Sequence, residues 1–166
     1  TGTPGSGEYG LNQFTVQADS FGGSDVAALN VTVFNPGSIY EAEDALFGGD
    51  VKFSNGGSGW TGTGYANYEK NSGDYVEWTV SPSAGDYAIA FRYKLSNYDE
   101  NRPLEIEVNG QVIDAALSFP GSGTHYIYTA PLYVTLNSGP NTIRATTAGS
   151  NGANIDHLAI FSISAP

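Results

Sequence analysis

From residue 39 onward, short runs of Val, Ile, Leu, Tyr, Phe and Thr alternate with polar residues, and each run is stopped by Gly, Asn, Ser or Pro. A period of two puts successive side chains on opposite faces of an extended strand, so a chain patterned this way can bury one face and wet the other. Tyr75-Val-Glu-Trp-Thr-Val80 places Val76, Trp78 and Val80 together, which assigns Trp78 to the core. Tyr87-Ala-Ile-Ala-Phe-Arg-Tyr-Lys-Leu95 directs Arg92 and Lys94 outward. Leu104-Glu-Ile-Glu-Val108 buries its aliphatics and exposes Glu105 and Glu107. Asn109-Gly110 is a hairpin-turn pair ahead of Gln111-Val-Ile-Asp114. Further strand-like runs cover 126–136, 141–146 and 155–163, with no credible helix and no internal repeat. Strands and turns at this spacing predict an all-β chain, an antiparallel β-sandwich of jelly-roll type.

Acidic residues are placed pointedly at the two ends of this series. Ser38-Ile-Tyr-Glu-Ala-Glu-Asp-Ala45 carries Glu41 and Glu43 one residue apart, and Asn154-Ile-Asp-His-Leu-Ala-Ile-Phe161 carries Asp156. If the first segment is a strand, both glutamates share a face roughly 6–7 Å apart. If the first and last strands of the sandwich are neighbours, Asp156 joins them. Three carboxylates in one place form a hard oxygen site suited to calcium.

Composition narrows the function classes. Seventeen acidic residues oppose six basic ones, a formal net charge of −11, which is the wrong balance for gripping nucleic-acid phosphates or an anionic membrane. A hydrophobic content of 40% supplies a core, and the absence of cysteine removes disulfides and thiolate chemistry. No long apolar run or signal-peptide pattern occurs, and the numbering is expected to start inside a longer polypeptide.

Residues 1–37 differ from the rest, with acids but no Lys or Arg. Asn12-Gln-Phe-Thr-Val-Gln-Ala18 and Val26-Ala-Ala-Leu-Asn-Val-Thr-Val-Phe34 read as two strands around the turn-rich segment 19–25. The pair resembles the last hairpin of a bacterial immunoglobulin-like or cadherin-like module. Asn35-Pro-Gly-Ser38 then serves as linker, dividing the chain into 1–37 and 38–166.

Seven segments carry a second resemblance. Tyr40-Glu-Ala-Glu43, Gly59-Trp-Thr-Gly-Thr-Gly-Tyr65, Gly85-Asp-Tyr87, Phe91-Arg-Tyr93, Val108-Asn-Gly110, Leu136-Asn-Ser-Gly-Pro-Asn-Thr-Ile143 and Asn154-Ile-Asp156 follow the order seen in carbohydrate-binding modules of family 35, with family 6 close behind. The resemblance spans about residues 39–163 and implies a jelly-roll module with a structural calcium, appended to a secreted enzyme that degrades polysaccharides. It implies that Glu41, Glu43 and Asp156 hold the calcium, helped by carbonyls of the loop 60–64. It also implies a loop-borne sugar site, in which Asn154 matches the ligand-contacting amide and Tyr65 the aromatic after the Gly-Thr-Gly turn. Arg102, in Asn97-Tyr-Asp-Glu-Asn-Arg102, could pair with a uronate carboxylate in a bidentate fork. Phe119-Pro-Gly-Ser-Gly-Thr-His125-Tyr126 stands where the family often has a Trp, which leaves His125 or Tyr126 as the stacking platform. Trp60 is a further candidate, and core packing is the competing role for each of these aromatics.

Catalysis finds little support. Glu105 and Glu107 share a strand face but lack a cleft or any means of separating their pKa values. No Gly-x-Ser-x-Gly elbow occurs, and His125 and His157 lack metal-ligand spacing. The expectation is therefore a non-catalytic, calcium-containing module, monomeric and secreted or cell-surface, in a bacterial protein. It would bind a polysaccharide or oligosaccharide of uronic-acid, galactan or mannan type beside a catalytic domain in the same polypeptide. The alternative is an adhesive module of a surface protein that uses calcium only for rigidity.

Overall fold

The computed structural model describes residues 10–20, 23–33, 37–70 and 72–163. Strands β1 (Gly10–Ser20) and β2 (Gly23–Val33) pair in register along their whole length and form a sheet of their own. They run further toward the turn than the alternation suggested, because Ala18 through Ser20 keep pairing with Gly23 through Asp25. Phe34 and the start of the expected linker lie outside the described residues.

The remaining strands are β3 (Ser38–Glu41), β4 (Leu46–Gly48), β5 (Lys52–Ser54), β6 (Tyr65–Asn67), β7 (Ser72–Val80), β8 (Gly85–Lys94), β9 (Leu104–Val108), β10 (Gln111–Leu117), β11 (Ile127–Tyr128), β12 (Leu132–Leu136), β13 (Asn141–Ala148) and β14 (Asn154–Ser162). All pairings are antiparallel. One sheet runs β10-β9-β13-β7-β4. The other runs β11-β8-β14-β6-β5, with β12 also on β8 and β3 also on β14. The fold is the expected β-sandwich jelly roll, and first and last strands are indeed neighbours. Among the described residues no helix is long and apolar enough to cross a membrane.

The core lies between the sheets. Val76, Trp78 and Val80 of β7, Ile143 of β13 and Ile106 of β9 meet Ile89, Phe91 and Tyr93 of β8 and Ile155, Leu158 and Ile160 of β14. Phe119 closes the loop end of the core, 4.9 Å from Tyr93 and 6.0 Å from Phe91 between ring centroids. The buried carboxylate of Asp74 accepts backbone N–H bonds from Asp50 (2.7 Å), Glu69 (3.0 Å) and Lys70 (2.8 Å), fastening the segments before β5 and β7 together.

Two expectations need correction. The run 126–136 is two strands, not one, because Pro131 cannot donate to a ladder and the register on β8 shifts between the Tyr128–Arg92 and Leu132–Ile89 pairs. The first strand of the sandwich stops at Glu41. Ala42, fully buried, begins a 3₁₀ turn (Ala42–Asp44) closed by Ala45 N–H on the Ala42 carbonyl at 3.1 Å. Glu43 therefore does not follow Glu41 along a strand face.

Ser38 pairs with Ile160, so the chain enters and leaves the sandwich side by side at one end. A Cβ on Gly37 would fall 1.7 Å from the Ile160 carbonyl oxygen, which shows how closely the incoming chain lies on β14. Asn154, at the far end of β14, is eight residues from Ser162, or roughly 26 Å along an extended strand.

Candidate functional site

Glu41 and Glu43 converge despite the turn between them. Gly62, at φ +59, brings the loop 60–64 down over both acids. A Cβ there would meet Glu43 Oε1 at 2.2 Å and Glu41 Cδ at 3.0 Å, so the close approach needs glycine. Glu43 Oε1 accepts the backbone N–H of Thr63 and, at 3.2 Å, of Gly64, whereas Oε2 is buried with no hydrogen-bond partner among the described residues.

Asp156 arrives through a β-bulge. Ile155 lies opposite Tyr93 and His157 opposite Arg92, leaving Asp156 as the extra residue that is turned toward the acids. Its Oδ1 accepts the Thr61 N–H at 2.8 Å, and its Oδ2 accepts from Arg92 Nη1. Glu41, His157, Arg92 and Tyr128 follow one another across β3, β14, β8 and β11. One tautomer satisfies this row. The Tyr128 hydroxyl donates to His157 Nε2 at 2.8 Å, His157 Nδ1–H donates to the Thr61 hydroxyl oxygen at 2.8 Å with Asp156 Oδ2 3.1 Å away, and the Thr61 hydroxyl donates to Glu41 Oε2 at 2.9 Å.

The carboxyls respond in opposite directions. Burial raises the Glu41 pKa above the ordinary glutamate value, partly offset by the Thr61 bond and His157, with Glu43 and Asp156 adding like charge. Burial also pushes Asp156 upward, but bonds from His157, Thr61 and Arg92 outweigh it and hold the carboxyl below the ordinary aspartate value. Glu41, Asp156 and His157 present ligand atoms all within 4.8 Å of one another. Glu43, the third carboxylate of the expected set, is outside that group but borders it through the Gly-rich loop, with one buried oxygen unpartnered among the described residues. The carboxylate oxygens fit a hard cation; His157, which belongs to the group, and Arg92, which pairs with Asp156, were not part of the expected set.

The second group lies at the loop end of the same sheet. Asn154 is half-buried at the start of β14 opposite Lys94, and its side-chain amide makes no hydrogen bond among the described residues. Tyr65 is buried at the start of β6. Half-buried Tyr126 has the Arg92 guanidinium 4.8 Å and the Lys94 ammonium 5.0 Å from its ring centroid, so its ring already faces two cations. Trp60 Nε1 and the Tyr126 hydroxyl are buried without hydrogen-bond partners among the described residues. Arg102 is bound to Glu100 at 2.8 Å and to the Gly152 carbonyl at 3.4 Å, which sets it two residues from Asn154 along the chain. His125 is exposed.

Tyr98, which sequence reasoning did not single out, is 69% exposed in the loop between β8 and β9. Backbone bonds from Ser122 and Gly123 to the Leu95 carbonyl and from Gly121 to the Glu100 carbonyl clamp that loop onto the one after Phe119. Gly123, at φ +64, lies under the Tyr98 ring, where a Cβ would come within 2.1 Å of it. Lys94, Arg92, Thr61 and His157 were likewise missed as site residues. The bulge that brings His157 and Asp156 together leaves no mark in a pattern of alternation.

A loop-end site with a free amide, an exposed aromatic and flanking cations, on a jelly roll with an acidic cluster at its sheet edge, defines a ligand-binding β-sandwich module. No family model matches the chain. It is 38% identical to a family 35 carbohydrate-binding module from Clostridium thermocellum, at a TM-score of 0.69, covering 75% of this chain and 97% of that one. It is 30% identical to a family 35 module from Paenibacillus barcinonensis, again at 0.69, covering 78% of this chain and all of that one. The chain belongs to carbohydrate-binding module family 35. It is also 39% identical over 124 residues to part of an exo-beta-D-glucosaminidase from Amycolatopsis orientalis, of which it spans only 12%.

Proposed function

We propose that residues 38–166 are a non-catalytic module that binds a glycan at the loop end of the sandwich, where Asn154, Lys94, Arg102 and Tyr98 gather. It would hold an attached, secreted glycan-degrading enzyme on its polysaccharide. The observation that carries this reading is the separation of ends. The chain enters and leaves beside Ser38 and Ile160, while the free amide of Asn154 stands at the far end of β14. Attached domains would lie away from the ligand, and residues 1–37 would close a preceding immunoglobulin-like module. Tethering raises the local concentration of enzyme on substrate without further chemistry. Tyr98 supplies an apolar ring face for the C–H surface of a pyranose, and Asn154 pairs with hydroxyls that lose their water.

Calcium belongs in the same reading. Glu41, Glu43 and Asp156 would hold it, and its charge would offset the mutual repulsion of the three carboxylates. These residues tie the 3₁₀ turn and the loop 60–64 to β14, and so brace the base of the sugar-binding end.

The test is electrophoresis of the whole chain through gels containing soluble galactan, mannan, xylan or pectin, with calcium and with chelator. At least one glycan should retard the chain, Asn154→Ala and Tyr98→Ala should each abolish the retardation with melting behaviour retained, and no reducing ends should be released. Retardation by no glycan would refute the proposal and favour an adhesive role.

A further inference from the structure

We propose that Asn55-Gly56 is a site of spontaneous deamidation, through which the loop end of the sandwich gains negative charge as the protein ages. Asparagine is among the chemically labile residues. Before a glycine it closes on itself most readily, because no Cβ hinders the glycine nitrogen from reaching the asparagine Cγ. That nitrogen gives up its proton and bonds to Cγ. The bond from Cγ to the side-chain amide nitrogen breaks, and ammonia leaves carrying, by way of solvent, the proton that was given up. Water then adds to either carbonyl of the cyclic imide and opens it to aspartate or isoaspartate, with no change of oxidation state.

The chain contains three such pairs, Asn55-Gly56, Asn109-Gly110 and Asn151-Gly152, and the fold treats them differently. Asn109 is locked in its hairpin. Its Oδ1 accepts the Thr142 N–H at 2.9 Å, its Nδ2 donates to Asn141 Oδ1 at 2.9 Å, and its own N–H donates to the Thr142 carbonyl at 2.9 Å. The cyclisation would have to break these bonds first. Gly152 is buried, and a Cβ on it would stand 2.7 Å from the Tyr68 ring and 3.2 Å from Leu104. Its nitrogen has no room to swing toward Asn151, and its carbonyl is held by Arg102 at 3.4 Å. Asn55 and Gly56 are both exposed just beyond β5, in no strand, and the Asn55 side chain makes no hydrogen bond among the described residues. Only this pair is free to reach the reactive geometry without unfolding something else.

What the reaction does to the ligand end rests on the glycan-binding reading. Asn55 opens the loop 55–64, which carries Trp60 and the Thr61-Gly62 turn over the acids. A Cβ on Gly56 would lie 3.7 Å from the Tyr65 hydroxyl, and one on Gly57 would lie 3.8 Å from Lys94 Nζ. Lys94 makes no ion pair among the described residues, and its ammonium rests 5.0 Å from the Tyr126 centroid, with Asn154 directly across the strand pair. An aspartate arising beside Gly56 and Gly57 offers that ammonium a counter-ion and draws it from the binding surface. An isoaspartate carries the backbone through its side-chain carbon, so the loop lengthens by a methylene and shifts. Either product weakens glycan binding.

The experiment ages the whole chain in mildly alkaline buffer, which favours loss of the glycine N–H proton, both folded and in denaturant. Mass spectrometry of tryptic peptides follows the change of amide to acid, with fragmentation placing it at a residue. Arg102-Pro103 resists trypsin, so the three pairs fall in separate peptides, 53–70, 95–144 and 145–166. In the folded chain Asn55 should convert roughly tenfold to a hundredfold faster than Asn109 or Asn151, the factor expected where two hydrogen bonds must open first. In denaturant the three rates should converge. Gly56→Ala, whose Cβ would make only ordinary contacts, should suppress the conversion. Aged parent and fresh Asn55→Asp should both be retarded less by the glycan gels than fresh parent, and aged Gly56→Ala should keep its retardation. An Asn55 that stays intact, or that converts no faster than Asn109 and Asn151 in the folded chain, overturns the proposal. Full conversion with unchanged retardation overturns the effect on the ligand end and leaves the modification standing. If no glycan retards even the fresh chain, the binding reading falls, and the masses alone still decide the modification.

Discussion

Removing calcium should lower the melting temperature of this chain, and Glu43 should decide by how much. Glu43 Oε2 is buried without a partner among the described residues, and the carboxylate of Glu41 feels the like charge of both Glu43 and Asp156. Ionising this trio without a cation leaves like charges facing one another in a site largely withdrawn from water. A ligand at a hundred times its dissociation constant stabilises the folded state by about 2.7 kcal/mol. For a sandwich of this size that corresponds to a rise of roughly 10 °C in Tm. The assay is scanning calorimetry in millimolar calcium and in chelator, with metal content measured in both samples. Glu43→Gln keeps an oxygen acceptor for Thr63 and Gly64 but removes a charge. In chelator this variant should melt no lower than the parent, and in calcium it should lose most of the increment. A parent Tm unmoved after the metal has left would refute the reasoning. An equal loss by Glu43→Gln in both conditions would refute the part assigned to Glu43 and leave it only a hydrogen-bonding role.

Asp74→Ala should cost about 3 kcal/mol in denaturant unfolding, because the N–H groups of Asp50, Glu69 and Lys70 all lose their acceptor. Burial works to raise the Asp74 pKa, but these bonds outweigh it and hold the carboxyl below its ordinary value, so its stabilisation is present above the unfolded pKa and lost as pH falls through the folded one. The acid side of the stability profile should flatten in Asp74→Asn. Gly123→Ala should strain the left-handed backbone at φ +64 by about 1–2 kcal/mol and lift Tyr98 from its seat. Weaker glycan retardation with a modest Tm loss is expected, and unchanged retardation would remove Tyr98 from the site.

Much of the fold could be read from the amino-acid order, because burial of one face is written locally as alternation. Val76, Trp78 and Val80, or Ile89, Phe91 and Tyr93, announce their inward face before any partner strand is known. Asn109, at φ 52, and Gly110, at φ 76, form the expected turn for the same local reason. The pairing of the first and last strands stood only as a condition in the sequence, and β3 meets it by lying on β14. What the order of residues left undecided is whatever depends on departures from period two or on segments far apart in sequence. The 3₁₀ turn at Ala42 is dictated by the core that swallows Ala42, and it moves Glu43 off the strand while Gly62 brings the loop to meet it. The bulge at Asp156 sets Asp156 and His157 against the same acids, although alternation would have sent them to opposite faces. The pairing of Arg102 with Glu100 and the isolation of Lys94 beside Tyr126 are equally invisible in the linear chain. Alternation specifies which face of a strand is buried. Which charges end up compensated is decided only when strands and loops from distant parts of the chain close on one another.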